Sequence, residues 1–343
     1  MEGSLVLSTR REPEFFGLYD LQRGVAECLG FEHDGQIAGI ATVLVRSGWH
    51  GHEVRPVGYL GDLRVGAPGR RQRVLVRHFA EVLRDIGRRH DCQLFLTGIL
   101  ASNAAAMSAL VRRRSARQGQ PRYWPFRRFD MVSIQFTRKR HAPPSTVVRT
   151  ATPADVPTLR AFLDADHRAR PFGYRFDDGE LEHRLQAWPG FSLDRTYIAL
   201  DGARVVGCVT AWDAVAVKRY RVEAYRRGMR GTKVAFNLAA RLFGWTPLPE
   251  PGADFRYFYL CNPSVAGDDP EILRALIDRV YADFHGRGYH FFSLAIYEND
   301  PLVGATRGLP ARRLPFELYV VTDADAPEPE LSVGRPGFEM ALA

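Results

Sequence analysis

The chain has little cysteine, no long apolar run and, over much of its first half, few acids. Its 343 residues hold four cysteines, Cys28, Cys92, Cys208 and Cys261. They are widely spaced and form no C-x-x-C pair, so neither a disulfide framework nor a structural zinc is expected. Three lie in apolar or strand-like surroundings, as buried reduced thiols do, and a reducing, cytoplasmic location is the expectation. No apolar stretch approaches the ~20 residues of a membrane-spanning helix. The segment Met1 to Ser8 lacks a basic region followed by a long apolar core, which argues against a secretory signal. His50 and His52 flank Gly51 without a nearby carboxylate or cysteine, so no metal is expected there.

What is present is the composition of a soluble globular protein, 45% hydrophobic and 25% charged, at a length that suits about two domains. The charge is uneven. Residues 1–150 carry 24 of the 47 Lys and Arg but 13 of the 39 Asp and Glu, and between Arg112 and Arg140 ten basic residues face Asp130 alone. A basic face of this kind suits phosphates, whether of a nucleotide cofactor or of RNA, and also an ordinary solvated surface.

The stretch from Tyr59 to Phe79 organises the reading. Tyr59, Leu60, Leu63 and Val65 read as a strand. Gly66 to Gly69 breaks it, and Leu75, Val76, Phe79, Val82, Leu83 and Ile86 restart the chain as a helix over 72–89. A strand, a short basic loop and a helix N-terminus make an anion site, and Arg70, Arg71 and Arg73 add charge to it. A buried strand from Cys92 to Leu100 follows. It ends at Ala101-Ser102-Asn103, where Asn103 or Ser102 can cap a helix over Ala104–Arg114. Residues 129–136 read as a closing strand, after an irregular segment at 121–125.

This strand–loop–helix resembles the acyl-CoA-binding core of the GNAT (general N-acetyltransferase) superfamily, in which Val-x-Pro and Arg/Gln-x-x-Gly-x-Gly/Ala open the helix. Val65 and Arg70 match, Pro68 sits one residue late, and Arg73 and Leu75 stand at the two glycine positions. The resemblance implies acetyl-CoA or another acyl-CoA as cofactor, bound by Leu63, Arg64, Val65, Arg70, Arg71, Gln72, Arg73, Val74 and Asn103. The tyrosine that often serves as acid further along falls near Leu110 and is absent. Asp62 is the nearest carboxylate on the cofactor strand and Tyr59 points the same general way, so these two are the catalytic candidates, although Asp62 equally suits a role in strand pairing.

The element order then recurs. After a linker at 141–145, Thr152-Pro153 opens a helix, Asp201-Gly202 turns a hairpin, and residues 215–245 read as an inserted basic helical segment. Phe255–Cys261, a helix beyond Pro270, Phe291–Tyr297, Asn299 and Pro315–Val321 repeat the first half. The expected fold class is therefore α/β (α+β): GNAT-like domains at 1–140 and 146–322, each a mixed, mainly antiparallel sheet flanked by helices, with a loose acidic tail at 323–343. The chain resembles tandem GNAT proteins of a poorly characterised bacterial group. The second loop, Ser264 to Pro270, carries two carboxylates and no base, so cofactor binding is expected in the first half. Tyr259 and Glu298 are the substrate-side candidates. The activity implied is transfer of an acyl group to an amine of a small molecule or peptide. The alternatives are an aminoacyl-tRNA-dependent transferase of the Fem type, using the basic face on tRNA, or a non-catalytic binding protein.

Overall fold

The structure is a computed structural model and describes residues 5–71, 73–112, 119–144, 147–332 and 334–342, with the side chains of Arg71 and Arg227 outside that set. The first half runs β1 (Leu5–Arg10), α1 (Gly17–Asp20), β2 (Val25–His33), β3 (Gln36–His50), β4 (Glu53–Val65), α2 (Ala67–Arg71), α3 (Val74–Arg89), β5 (Phe95–Leu100), α4 (Ala104–Ala106) and β6 (Arg122–Gln135). The second runs β7 (Val148–Thr150), α5 (Val156–Arg168), α6 (Glu180–Ala187), β8 (Thr196–Asp201), β9 (Arg204–Trp212), β10 (Arg219–Tyr225), α7 (Arg227–Phe243), β11 (Tyr257–Val265), α8 (Pro270–Phe284), β12 (Phe291–Tyr297) and β13 (Ala311–Thr322).

Local chemistry accounts for these elements. Asp34 and Gly35 both adopt positive φ (51° and 73°), the geometry of the two-residue turn that matches strand twist in a β2–β3 hairpin. Helix α8 starts where Asp269 caps it, its carboxylate accepting from the Glu271 N–H at 2.8 Å, with Pro270 in the first turn. Its Leu273, Leu276, Ile277, Val280, Tyr281 and Phe284 are buried along one face.

Among the described residues, eleven strands form one sheet in the order β2-β3-β4-β5-β13-β6-β12-β11-β9-β8-β7, and β1 pairs with β10 apart from it. Each half is mixed and mainly antiparallel. Its parallel pair is β4–β5 at Gly58↔Phe95 and Tyr59↔Leu96 in the first half, and β11–β12 from Tyr257↔Phe291 to Tyr259↔Ser293 in the second. Beyond these positions the paired strands part. The halves do not keep their closing strands. β13 lies between β5 and β6, and β6 carries on to β12, so the divisions expected at 140 and 146 mark the chain and not the sheet.

Four local expectations are corrected. The closing strand of the first half begins at Arg122 and takes in Pro125, which sits opposite Tyr319 where the β6–β13 register shifts; proline is tolerated at such a bulge. The helix after the basic loop starts at Val74, and the one after Asn103 is a single turn followed by a π-helical turn at Met107–Arg112. Residues 215–245 contain a strand as well as a helix, because Arg219–Tyr225 pairs with β1. The tail, expected to be loose, is docked. Ala341 and Leu342 are buried in the second-half core, and Phe338 packs against Tyr59 and Phe129, each with ring centroids 5.7 Å apart. Gly337 allows this: a Cβ there would lie 2.4 Å from the Gly173 Cα.

Because β6 and β13 are exchanged, neither half can complete its sheet alone. Residues 1–144 and 147–343, expressed separately, should each lack a cooperative thermal transition, and mixing them should restore one. A separate 1–144 fragment that melts as sharply as the whole chain would refute the exchange.

Candidate functional site

The parting of β4 and β5 creates the first opening. After Tyr59 the strands are bridged by the Thr97 hydroxyl, which donates to the Leu60 carbonyl at 3.0 Å. A bulge follows, with the register against β3 shifting between Ile40 and Thr42 and Asp62 at φ 48°. Beyond it lies a cavity of about 470 Å³, lined by Leu63, Val65, Gly69, Arg70, Arg73, Val74, Leu75, Val76, Asn103 and residues of the next helical turns, Leu110 among them. This is the size of a small-ligand site, set at the N-terminus of the 16-residue α3. Arg73 caps that helix in the left-handed conformation (φ 54°, ψ 37°), which a glycine adopts without strain. Arg70 donates to the Val65 carbonyl at 2.6 Å, closing the loop on itself. The Asn103 side chain accepts from the Ala106 N–H at 3.1 Å.

Of the residues expected at a cofactor, Leu63, Val65, Arg70, Arg73, Val74 and Asn103 thus share one cavity. Arg64 instead reaches toward Asp62, at 3.8 Å. Gln72 and the Arg71 side chain lie outside the described residues. Asp62 does not line the cavity. Its Oδ2 accepts from Arg11, at 2.5 Å, and from the Tyr19 hydroxyl. The Tyr59 hydroxyl is pushed well above the ordinary phenol range by burial, and by Tyr19 and Asp62 near it; its ring lines a smaller space shared with Leu96 and Phe338. From the second half, Lys218 is buried with its Nζ 5.6 Å from the Tyr259 ring centroid. Burial lowers its pKa, and Tyr220, Arg11 and Asp62 are the charges it senses. Tyr259 and Tyr220 share a hydrogen bond of 3.0 Å. Lys218 thus lies against Tyr259 and within the electrostatic reach of Asp62 and Arg11 of the first half. Glu298 does not join them. It is exposed, five residues past the Tyr259↔Ser293 pairing, roughly 16 Å along the strand.

The second opening repeats the first. Tyr259-Leu260-Cys261-Asn262 copies Tyr59-Leu60-Gly61-Asp62, with a register shift at the same place and Asn262 at φ 52°. Here the tail fills the opening. The Glu339 carboxylate accepts from the Asn262 backbone N–H at 2.9 Å and lies 3.6 Å from Arg184. Arg184 is fully buried. It bonds Glu180 at 2.7 Å and the Asn262 side chain at 2.6 Å, and is sandwiched by Tyr174 and Trp188 at 4.6 and 4.5 Å. Burial raises the Glu339 pKa, and Arg184 opposes the rise. At the loop, Asp268 pairs with Arg335 of the tail, and Asp269 holds the helix N-terminus with its own carboxylate. An external phosphate has no place there.

Sequence reading missed Arg11, Tyr19, Lys218 and Glu339. Glu339 alone left a signal, as the one acid inside the apolar run Phe338 to Leu342. Among the described residues no group of three or more metal-ligating side chains converges, and no helix is long and apolar enough to cross a membrane.

Removing Glu339 leaves the buried Asn262 N–H without its acceptor and takes one of two carboxylates from the buried Arg184, which keeps Glu180. Glu339→Ala should therefore cost about 1–3 kcal/mol in urea unfolding. Glu339→Gln should cost less, because its amide oxygen still accepts from Asn262. Wild-type stability in the alanine variant would show that the tail is not an anchor.

No protein-family description matches this sequence, and no curated protein does. Solved structures resemble its fold. A GCN5-related N-acetyltransferase from Sphaerobacter thermophilus superposes with a TM-score of 0.52 at 17% identity, over 90% of this chain and 80% of that one. An N-myristoyltransferase from Saccharomyces cerevisiae, solved with bound myristoyl-CoA, superposes with a TM-score of 0.55 at 10% identity, over 92% and 71%. The two parted strand pairs and the bulged strand before a helix N-terminus thus belong to a fold that this chain shares with a GCN5-related N-acetyltransferase and an N-myristoyltransferase.

Proposed function

We propose that the protein is an N-acyltransferase that takes an acyl group from acyl-CoA, acetyl-CoA being the simplest donor, and passes it to an amine of a small molecule or peptide. The observation that carries this reading is the cavity at the start of α3. Six residues expected at a cofactor surround it, it is large enough for a small ligand, and its second-half counterpart is filled by the chain's own tail. Its chemistry fits a phosphorylated thioester: Arg70 and Arg73 and a helix N-terminus for the pyrophosphate, and Leu63 and Val65 for the pantetheine arm. Among the fold relatives, one N-myristoyltransferase was solved with an acyl-CoA bound.

The group supplies an activated acyl carbon; the chain supplies position and proton handling. The second half illustrates how the bulge does so, since its Asn262 N–H meets a carboxylate oxygen at 2.9 Å. We assign the matching amide of the Asp62 bulge to polarising the thioester carbonyl. Asp62 takes both hydrogen bonds on Oδ2. Its Oδ1, 3.8 Å from Arg64 and outside the cavity lining, is the oxygen left to take a proton from an amine brought up to the strand. Tyr59, kept protonated by burial, would give its proton to the departing thiolate, which leaves as free thiol. Tyr259, with Lys218 and Tyr220, forms the acceptor side.

The tRNA-dependent alternative loses support from the same contacts. Arg127 bonds the carbonyls of Ser332 and Gly334, Arg128 pairs with Glu317, and Arg140 pairs with Asp278. Arg113, Arg114 and Arg117 lie outside the described residues.

Calorimetry tests the reading. Acetyl-CoA should bind the wild type at one site. Arg70→Ala combined with Arg73→Gly removes two guanidinium groups while leaving residue 73 free to keep its backbone conformation. Each charge-assisted hydrogen bond is worth about 1.5–3 kcal/mol, so the loss of one to two of them should lower affinity roughly ten- to ten-thousandfold with folding intact. No heat from the wild type at millimolar ligand, or equal binding by the variant, sinks the assignment.

A further inference from the structure

Helix α7 turns an apolar stripe to solvent. Val234, Leu238 and Leu242 recur every four residues and are 70, 61 and 75% exposed; Phe243 beside them is 64% exposed. They are not the face that holds the helix to the protein. That work is done by Ala240, which is buried, by Met229 against the core, by Asn237, which bonds Leu248 through both ends of its amide, and by Lys233, which pairs with Glu250 at 2.5 Å. The helix therefore carries apolar side chains on two opposite faces, of which the fold uses one. A stripe of this kind marks an interaction surface.

Charge identifies the occupant. From Arg226 to Pro249 the chain has five basic residues and no acidic one. Arg230 and Arg241, three turns apart, lie along one edge of the stripe. Trp245, just past the helix, stacks on Phe243 with centroids 5.2 Å apart, an amphipathic ring at the end of the apolar face. A second copy of the same surface would set its arginines against these. An anionic surface neutralises them while it takes up the stripe.

We propose that α7 docks in the plane of an anionic lipid surface, with Val234, Leu238, Leu242 and Phe243 entering the headgroup–acyl boundary and Arg230 and Arg241 meeting lipid phosphates. Helix α7 lies on β10, on the second half, and the proposal is independent of the acyltransferase reading.

The full-length protein is sedimented with phosphatidylcholine vesicles and with phosphatidylcholine–phosphatidylglycerol vesicles, at low and at physiological salt. It should follow the anionic vesicles, less so as salt rises, and remain in solution with the neutral ones. Leu238→Glu with Leu242→Glu should weaken the partition by roughly tenfold or more. Arg230→Gln with Arg241→Gln should weaken it less and flatten the salt dependence. All four positions are exposed, so the thermal transitions should match the wild type. No sedimentation with anionic vesicles at low salt overturns the proposal. So does equal binding to neutral lipid, or a dimer in analytical ultracentrifugation that Leu238→Glu with Leu242→Glu dissolves, which would assign the stripe to a second copy.

Discussion

The exchange of closing strands constrains everything else in this molecule. β13 pairs with β5 on one side and β6 on the other, and β6 passes the ladder on to β12. Without the exchange, each half would leave an open sheet edge, a liability for any β protein. With it, the two openings between parted strands sit in one continuous sheet, and residues from both halves meet at the boundary. Asp62 comes from β4 and Tyr259 from β11, and the tail brings Phe338 onto Tyr59 of the first half.

The halves share a backbone plan and differ in what fills it. Both have a bulge with a left-handed residue after a tyrosine, Asp62 in one and Asn262 in the other. In the second half the bulge amide is satisfied internally by Glu339, whose burial needs Arg184, whose burial needs Glu180 and an aromatic sandwich. Such a network is stable only when complete, since each buried charge depends on the next. This is a structural commitment of the second opening. In the first half the tail touches Tyr59 through Phe338, and no tail residue is among those lining the cavity at α3.

The element order was legible because apolar periodicity and turn residues are local. β4, the break at Gly66 and the helix after it follow from residues within one stretch, and so does the second α8 helix with its Asp269-Pro270 start. The strand exchange was not legible, because β6 and β13 have the pattern of closing strands whichever sheet they close. The docking of the tail was hidden by composition. Its prolines and acids read as solvated, whereas Glu339 is buried by an arginine far away in sequence. That Asp62 lies on β4 was legible, but its partners Arg11 and Tyr19 come from a segment whose contacts no periodicity reports. Glu298 was chosen by its place after a strand, and the strand carries it past the parting point.

The basic loop shows how a fold feature outlasts its usual residue. Glycine favours the backbone at the start of such a helix because positive φ costs it nothing. Here Arg73 holds φ 54°, at an expense of about 1–2 kcal/mol for a residue with a Cβ. The loop can bear this because it is tied down on both sides: the Gly66 N–H donates to Ala38 O at 2.8 Å, Arg70 donates to Val65 O, and the Arg73 carbonyl accepts from the Val76 and Arg77 N–H groups. The conformation is thus set by the surroundings and not by the residue's own preference. What the substitution changes is the means of recognition. A glycine lets a phosphate approach the amides closely; Arg73 instead adds a guanidinium-bearing side chain to the cavity lining, and in the proposed acyl-CoA site it would attract the phosphate through charge. A site built this way tolerates looser geometry and is more sensitive to salt than one built from backbone N–H groups.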